Sequence, residues 1–205
     1  MIVRYGYDAK TPLLSLLGED DTARLKAASA LARLPVERLG SARPWLAAYQ
    51  LEHAYAQATG HAGLSANQVL AADAHKAGVP IRSEFPAQDD TIAAYGALSP
   101  AADLQFLRLT LDDILAAPGK VDQENAGWAR GALGPATARV RGISQQYPDL
   151  YRALIIERNR GWLPRIADML RQAKPSLVVT GGYHLLGPQG VLAQLHEHGL
   201  RPVRA

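Results

Sequence analysis

The stretch Pro175-Ser176-Leu177-Val178-Val179-Thr180-Gly181-Gly182-Tyr183-His184-Leu185-Leu186-Gly187-Pro188-Gln189-Gly190 decides how this chain is read. Residues 176–180 form an apolar, β-branched run bounded by Pro175 and Gly181, the pattern of a strand buried on both faces. A glycine-rich loop follows, then an amphipathic segment over 188–198, then Leu200 to Arg204 as a last strand. Strand, loop, helix and strand in that order predict an α/β unit. In open α/β sheets ligands bind beyond the carboxyl ends of strands, where Gly181 to Gly190 would lie. Gly181 and Gly182 permit positive φ and close approach of backbone to a ligand. His184 at the strand's exit could ligate a metal, move a proton or hydrogen-bond the loop.

Upstream, helical periodicity dominates. Residues 12–34 read as short helices, with Glu19, Asp20 and Asp21 where a helix N-terminus favours negative charge. Pro44 opens a helix that Gly60 and Gly63 end. Ser65 caps a helix running to Lys76, with Gly78 just beyond it. Val79-Pro80-Ile81-Arg82-Ser83-Glu84-Phe85 alternates and is β-branched, which predicts a strand with Glu84 at its end. Helices are expected over 100–116, 120–131, 135–145 and 148–173, the last bent by Gly161 and Pro164. The expected fold is therefore α/β and helix-rich, a small mixed sheet flanked by helices. Two or three strands are few for so many helices, so part of the sheet is expected to be missing from the chain.

Composition removes several classes of function. The chain has 205 residues and no cysteine, which excludes disulfides, thiolate zinc sites and thiol nucleophiles. Its length is enough for a core without such staples. No apolar run reaches the roughly 20 residues of a membrane helix, and the N-terminus carries no signal-peptide pattern. The net charge of +3 is small. The densest basic run, Arg152, Arg158, Arg160, Arg165 and Arg171, is interleaved with Glu157 and Asp168. That is a solvated helix face, and no nucleic-acid partner is expected.

Beside His184, two further sites carry chemistry. Glu84 at a strand end is placed as metal ligand or general base, or simply as an exposed acid. Arg158 and Asn159 fall mid-helix among apolar residues, where each needs a partner. They would orient a carboxylate or oxyanion, or pair with Glu157 and its neighbours. His196 and His198 point apart on a helix and suit its negative end. His53, His61 and His75 show no ligand spacing, and Asp89-Asp90 and Asp112-Asp113 read as caps or solvated faces.

At these residues the sequence resembles the TraB/GumN family, which takes in the TraB and PrgY pheromone-shutdown proteins and the Tiki metalloproteases. The likeness is strongest in ERNRGW at 157–162 and VVTGGYHLLGPQGVLAQLHEHGLRPVRA at 178–205. RPWLAAYQLE at 43–52 and GLSANQVLAADAHKAGVPIRSEF at 63–85 extend it over nearly the whole chain. The resemblance implies one domain over 1–205, N-terminally incomplete, since the family's first G-x-x-H motif has no counterpart before His184. It implies a divalent-metal site (Mn, Co or Zn) with His184 and Glu84 as ligands. Gly181, Gly182 and Tyr183 would then line the ligand loop, and Arg158 and Asn159 would be the polar pair of the Arg-Asn helix. The implied activity is hydrolysis of a peptide or related acyl bond, with a peptide or small-molecule substrate. The alternative is a protein that binds a peptide or signal without cutting it. An unpaired sheet edge would favour a homodimer, and relatives are often exported.

Overall fold

The computed structural model describes residues 2–116, 120–172 and 174–201. It divides into two compact units, residues 1–116 and 117–205, each taken by itself.

The first unit is helical: α1 (Ile2–Gly6), α2 (Glu19–Leu31), α3 (Pro44–Thr59), α4 (Ala66–Lys76), α5 (Gln88–Gly96) and α6 (Pro100–Ile114). Short 3-10 turns at Leu13–Leu16 and Val36–Leu39 join the early helices. α3 packs on α6, burying Trp45, Leu46 and Leu51 with Leu107 and Leu111. The helix signals act as their chemistry dictates. Gly60 ends α3 in the left-handed conformation, φ 76°. Ser65 and Gln68 form a reciprocal capping box on α4. The acids at 19–21 occupy the first turn of α2.

A polar anchor ties this unit together. Arg43 donates through Nε and Nη2 to Asp103 Oδ2 at 2.9 and 2.7 Å, and through Nη1 to Gly96 O at 2.7 Å. The backbone N–H of Trp45 donates to the other carboxylate oxygen. Burial lifts the Asp103 carboxyl above its usual range, against the pull of Arg43 and the Trp45 N–H. Elsewhere in the unit Asp21 pairs with Arg24 and Arg108, and Asp112 pairs with Arg24.

The second unit holds α7 (Lys120–Ala129), α8 (Gly134–Gln146), α9 (Pro148–Tyr151), α10 (Glu157–Arg171) and α11 (Val191–Glu197). A π-helical turn over Arg152–Ile156 joins α9 to α10, its Glu157 N–H donating to Arg152 O. The irregularity of the long helix therefore lies here, before Gly161 and Pro164; Pro164 sits inside α10. Val140, Tyr151 and Leu186 form one apolar cluster, and Ile166, Val191 and Leu195 a second.

The expected sheet is not found. Among the described residues there is no strand, and the only β-type pairing is an isolated bridge between Tyr7 and Ala42. Residues 176–180 form no regular element, and none makes a backbone hydrogen bond among the described residues. Leu177, at 76% exposed, shows that this run is not a buried central strand. Val79 and Ile81 are likewise exposed, and the chain bends at Glu84 rather than ending a strand there. A β-branched run becomes a strand only when a neighbour accepts its ladder of hydrogen bonds. Of the last expected strand, residues 202–204 lie outside the described residues, and Leu200 closes the α11 terminus by donating to Leu195 O. α11 begins at Val191, not at Pro188.

Candidate functional site

The second unit brings three of the sequence-predicted residues together on two elements. α10 presents Asn159, and the loop 181–190 presents His184 within a 3-10 turn over Gly182–His184. The π turn supplies one extra residue to the helical winding just before Arg158 and Asn159. Such insertions re-aim the following side chains and recur at functional sites. The loop is pinned on both sides, because Leu185 packs on the Ile166 cluster while Leu186 belongs to the Val140 cluster.

Asn159 is fully buried and His184 nearly so. His184 Nδ1 lies 2.7 Å from Asn159 Oδ1. Asn159 Nδ2 donates to two loop carbonyls, His184 O at 3.1 Å and Gln189 O at 2.8 Å. Gln194, buried on α11, also donates to Gln189 O, at 2.7 Å. The Trp162 indole stands against the imidazole, ring centroids 4.5 Å apart and tilted by 43°. Its own Nε1 is buried without a hydrogen-bond partner. The Arg158 guanidinium lies 5.0 Å from the centre of the same indole and donates to Leu154 O. Trp162 thus touches both a cation and an imidazole.

The loop residues divide in role. Neither Gly181 nor Gly182 has positive φ among the glycines of this loop; Gly187 does, at 77°. Gly182 is required by close approach, since a Cβ there would stand 2.5 Å from the Trp128 ring. Gly181 adds no side chain to the His184 ring edge, where a Cβ would reach Cδ2 at 3.7 Å. Tyr183 is half-buried against the Val140 cluster, its hydroxyl accepting from Arg139 Nε at 2.8 Å. Burial also raises the Tyr151 phenol above its ordinary value.

Glu84 belongs to the first unit, where it is exposed in a bend. Within the second unit the structure therefore joins His184, Asn159 and, through Trp162, Arg158. Trp162 lies against His184, Gln189 and Gln194 hold the end of its loop, and Trp128 covers Gly182. A sequence signal existed for two of them: Gln194 interrupts the apolar run of α11, and Trp162 lies one turn beyond Arg158. His198 Nδ1 donates to Gln194 O at 2.8 Å, at the end of α11.

The chain belongs to the TraB/PrgY/gumN family, whose model matches residues 1–204. That match covers both units, and the resemblance read from the motifs is borne out. No curated protein and no solved structure matches the chain. No helix of the described residues is long and apolar enough to cross a membrane.

Proposed function

We propose that this member of the family hydrolyses a peptide or related acyl bond, with His184 as its chemical centre. The observation supporting this is the buried Asn159–His184 pair, with Trp162 against the ring. An imidazole held on one nitrogen can use the other for proton transfer. In the proposed reaction His184 takes a proton from a water whose oxygen bonds to the substrate carbonyl carbon. The proton then passes to the leaving amine as its bond to carbon breaks. Arg158, half-buried beside Trp162, supplies the positive charge that steadies the oxyanion.

A divalent ion would lower the pKa of the attacking water and polarise the carbonyl. Catalytic zinc centres take about three protein ligands. Among the described residues no three His, Asp or Glu side chains are grouped to hold one. Those residues do not by themselves fit a metal centre, and the steps above run without an ion. Glu84 stays a candidate acid, tested as Glu84→Gln.

The test is incubation of the purified chain with a mixed peptide library, read by mass spectrometry. Parallel arms contain Mn²⁺, Co²⁺, Zn²⁺ or chelator alone. Wild type is expected to yield new fragments, and His184→Ala to lose ~100-fold or more of that rate. Equal cleavage by both proteins, or peptides held intact in every arm, would overturn the hydrolase reading. Calorimetric titration of the same ions into both proteins checks the implied metal role, which fails if the two behave alike.

A further inference from the structure

We infer that Asn159 is a positioning residue that holds neutral His184 in its Nδ1–H tautomer and so gives the lone pair to Nε2. The amide sets the state of the imidazole. An asparagine side chain has one end that only donates and one that only accepts. Two carbonyl oxygens, His184 O and Gln189 O, stand at 3.1 and 2.8 Å from one end of Asn159. Carbonyls accept, so that end is the NH₂. Turning the amide over would set its oxygen against both carbonyls and forfeit two hydrogen bonds in a fully buried place. The other end is therefore the oxygen, and it meets His184 Nδ1 at 2.7 Å. An oxygen that only accepts requires a donor opposite it, so Nδ1 carries the hydrogen. In the neutral ring Nε2 is then the basic atom.

The constraint is transmitted through several fixed contacts. Gln194 donates to the same Gln189 carbonyl, so that oxygen is held from two sides. Leu185 and Leu186 are packed into separate apolar clusters directly after His184. Trp162 lies against the ring and limits its rotation. Gly181 stands beside the ring at Cδ2, where an added Cβ would lie at 3.7 Å. Assigning Nε2 a task in hydrolysis rests on the reading proposed above, whereas the tautomer rests on hydrogen bonds alone.

The two are separable by experiment. Protein labelled with ¹⁵N-histidine, free of metal and substrate, is studied at pH about 8, above the ordinary imidazole range. Two-bond ¹H–¹⁵N correlation distinguishes a protonated from an unprotonated ring nitrogen, and His184 is assigned from the signals missing in His184→Gln. The expected pattern is protonated Nδ1 and unprotonated Nε2. The Nε2–H pattern, or one averaged between tautomers, would overturn the inference whatever the hydrolysis assay gives. Asn159→Ala, where folded by circular dichroism, is expected to release the ring to the averaged or Nε2–H pattern. A retained Nδ1–H pattern in that variant would also count against Asn159. Should Asn159→Ala fail to fold, the wild-type spectrum still decides.

Discussion

Replacing Asn159 by leucine removes the polar contribution of the cluster. Leucine keeps the branched heavy-atom skeleton of asparagine with bulkier methyl groups at its ends, so no cavity is opened and the loss is of hydrogen bonds, with some crowding added. Three are removed: those to His184 O, Gln189 O and His184 Nδ1. A typical hydrogen bond contributes about 1 kcal/mol net, and a buried group deprived of one costs ~1–3 kcal/mol. Gln189 O keeps the donation from Gln194, which limits its share. The sum is a loss of about 3 kcal/mol, large against the ~5–15 kcal/mol of an ordinary domain. With a urea slope of ~1–3 kcal/mol per molar, the midpoint falls by ~1–3 M. Trp128 and Trp162 both lie in the second unit, so fluorescence in a Trp45→Phe background follows its unfolding. A shift below ~0.3 M would mean that the amide neither anchors the loop nor constrains the imidazole.

Two further substitutions test other parts of the structure. Gly190→Ala places a Cβ 2.6 Å from the carbonyl oxygens of Leu185 and Leu186, backbone atoms that cannot step aside. It is expected to cost ~2 kcal/mol or more in urea unfolding, while Gly181→Ala, which meets only ordinary contact, stays within ~0.5 kcal/mol. Equal losses would contradict the loop geometry. In the first unit Asp103→Ala leaves the Arg43 guanidinium without its carboxylate and is expected to cost ~3 kcal/mol, with Asp103→Asn losing less. Thermal unfolding that ranks the asparagine variant below alanine would refute the pairing.

Local signals carried most of the helical architecture. Pro44, Gly60, Ser65 and Gly78 act through backbone geometry within a few residues, so their meaning does not depend on the rest of the chain. Strand character does depend on it. Val178 and Val179 favour extended backbone, but pairing requires a second segment that periodicity alone cannot locate. That is why the pattern over 176–180 predicts a central strand that the fold does not build. α5 escaped notice because Gln88 to Gly96 has little apolar periodicity; its start is set by Asp90 accepting from the Ala87 N–H. The site shows the same division. His184, Arg158 and Asn159 could be singled out as polar groups in apolar settings. Their mutual contacts could not, because they span 25 residues and depend on the π turn that orients α10.

The contacts also separate what anchors the loop from what the imidazole adds. Asn159 fastens the loop through its NH₂, and both acceptors are backbone carbonyls, available whatever side chain stands at 184. Leu185 and Leu186 supply the apolar grip on either side. A leucine or methionine at 184 would fill the place beside Trp162 but leave the buried Asn159 Oδ1 without the Nδ1 donor. The histidine thus adds the hydrogen bond that satisfies the amide oxygen. What it alone brings is a second ring nitrogen, with the first fixed to an amide oxygen. An imidazole satisfied at one nitrogen still has a second ring atom able to take or give a proton. That asymmetry between anchor and imidazole, rather than the resemblance of motifs, is the physical support for assigning His184 a working role.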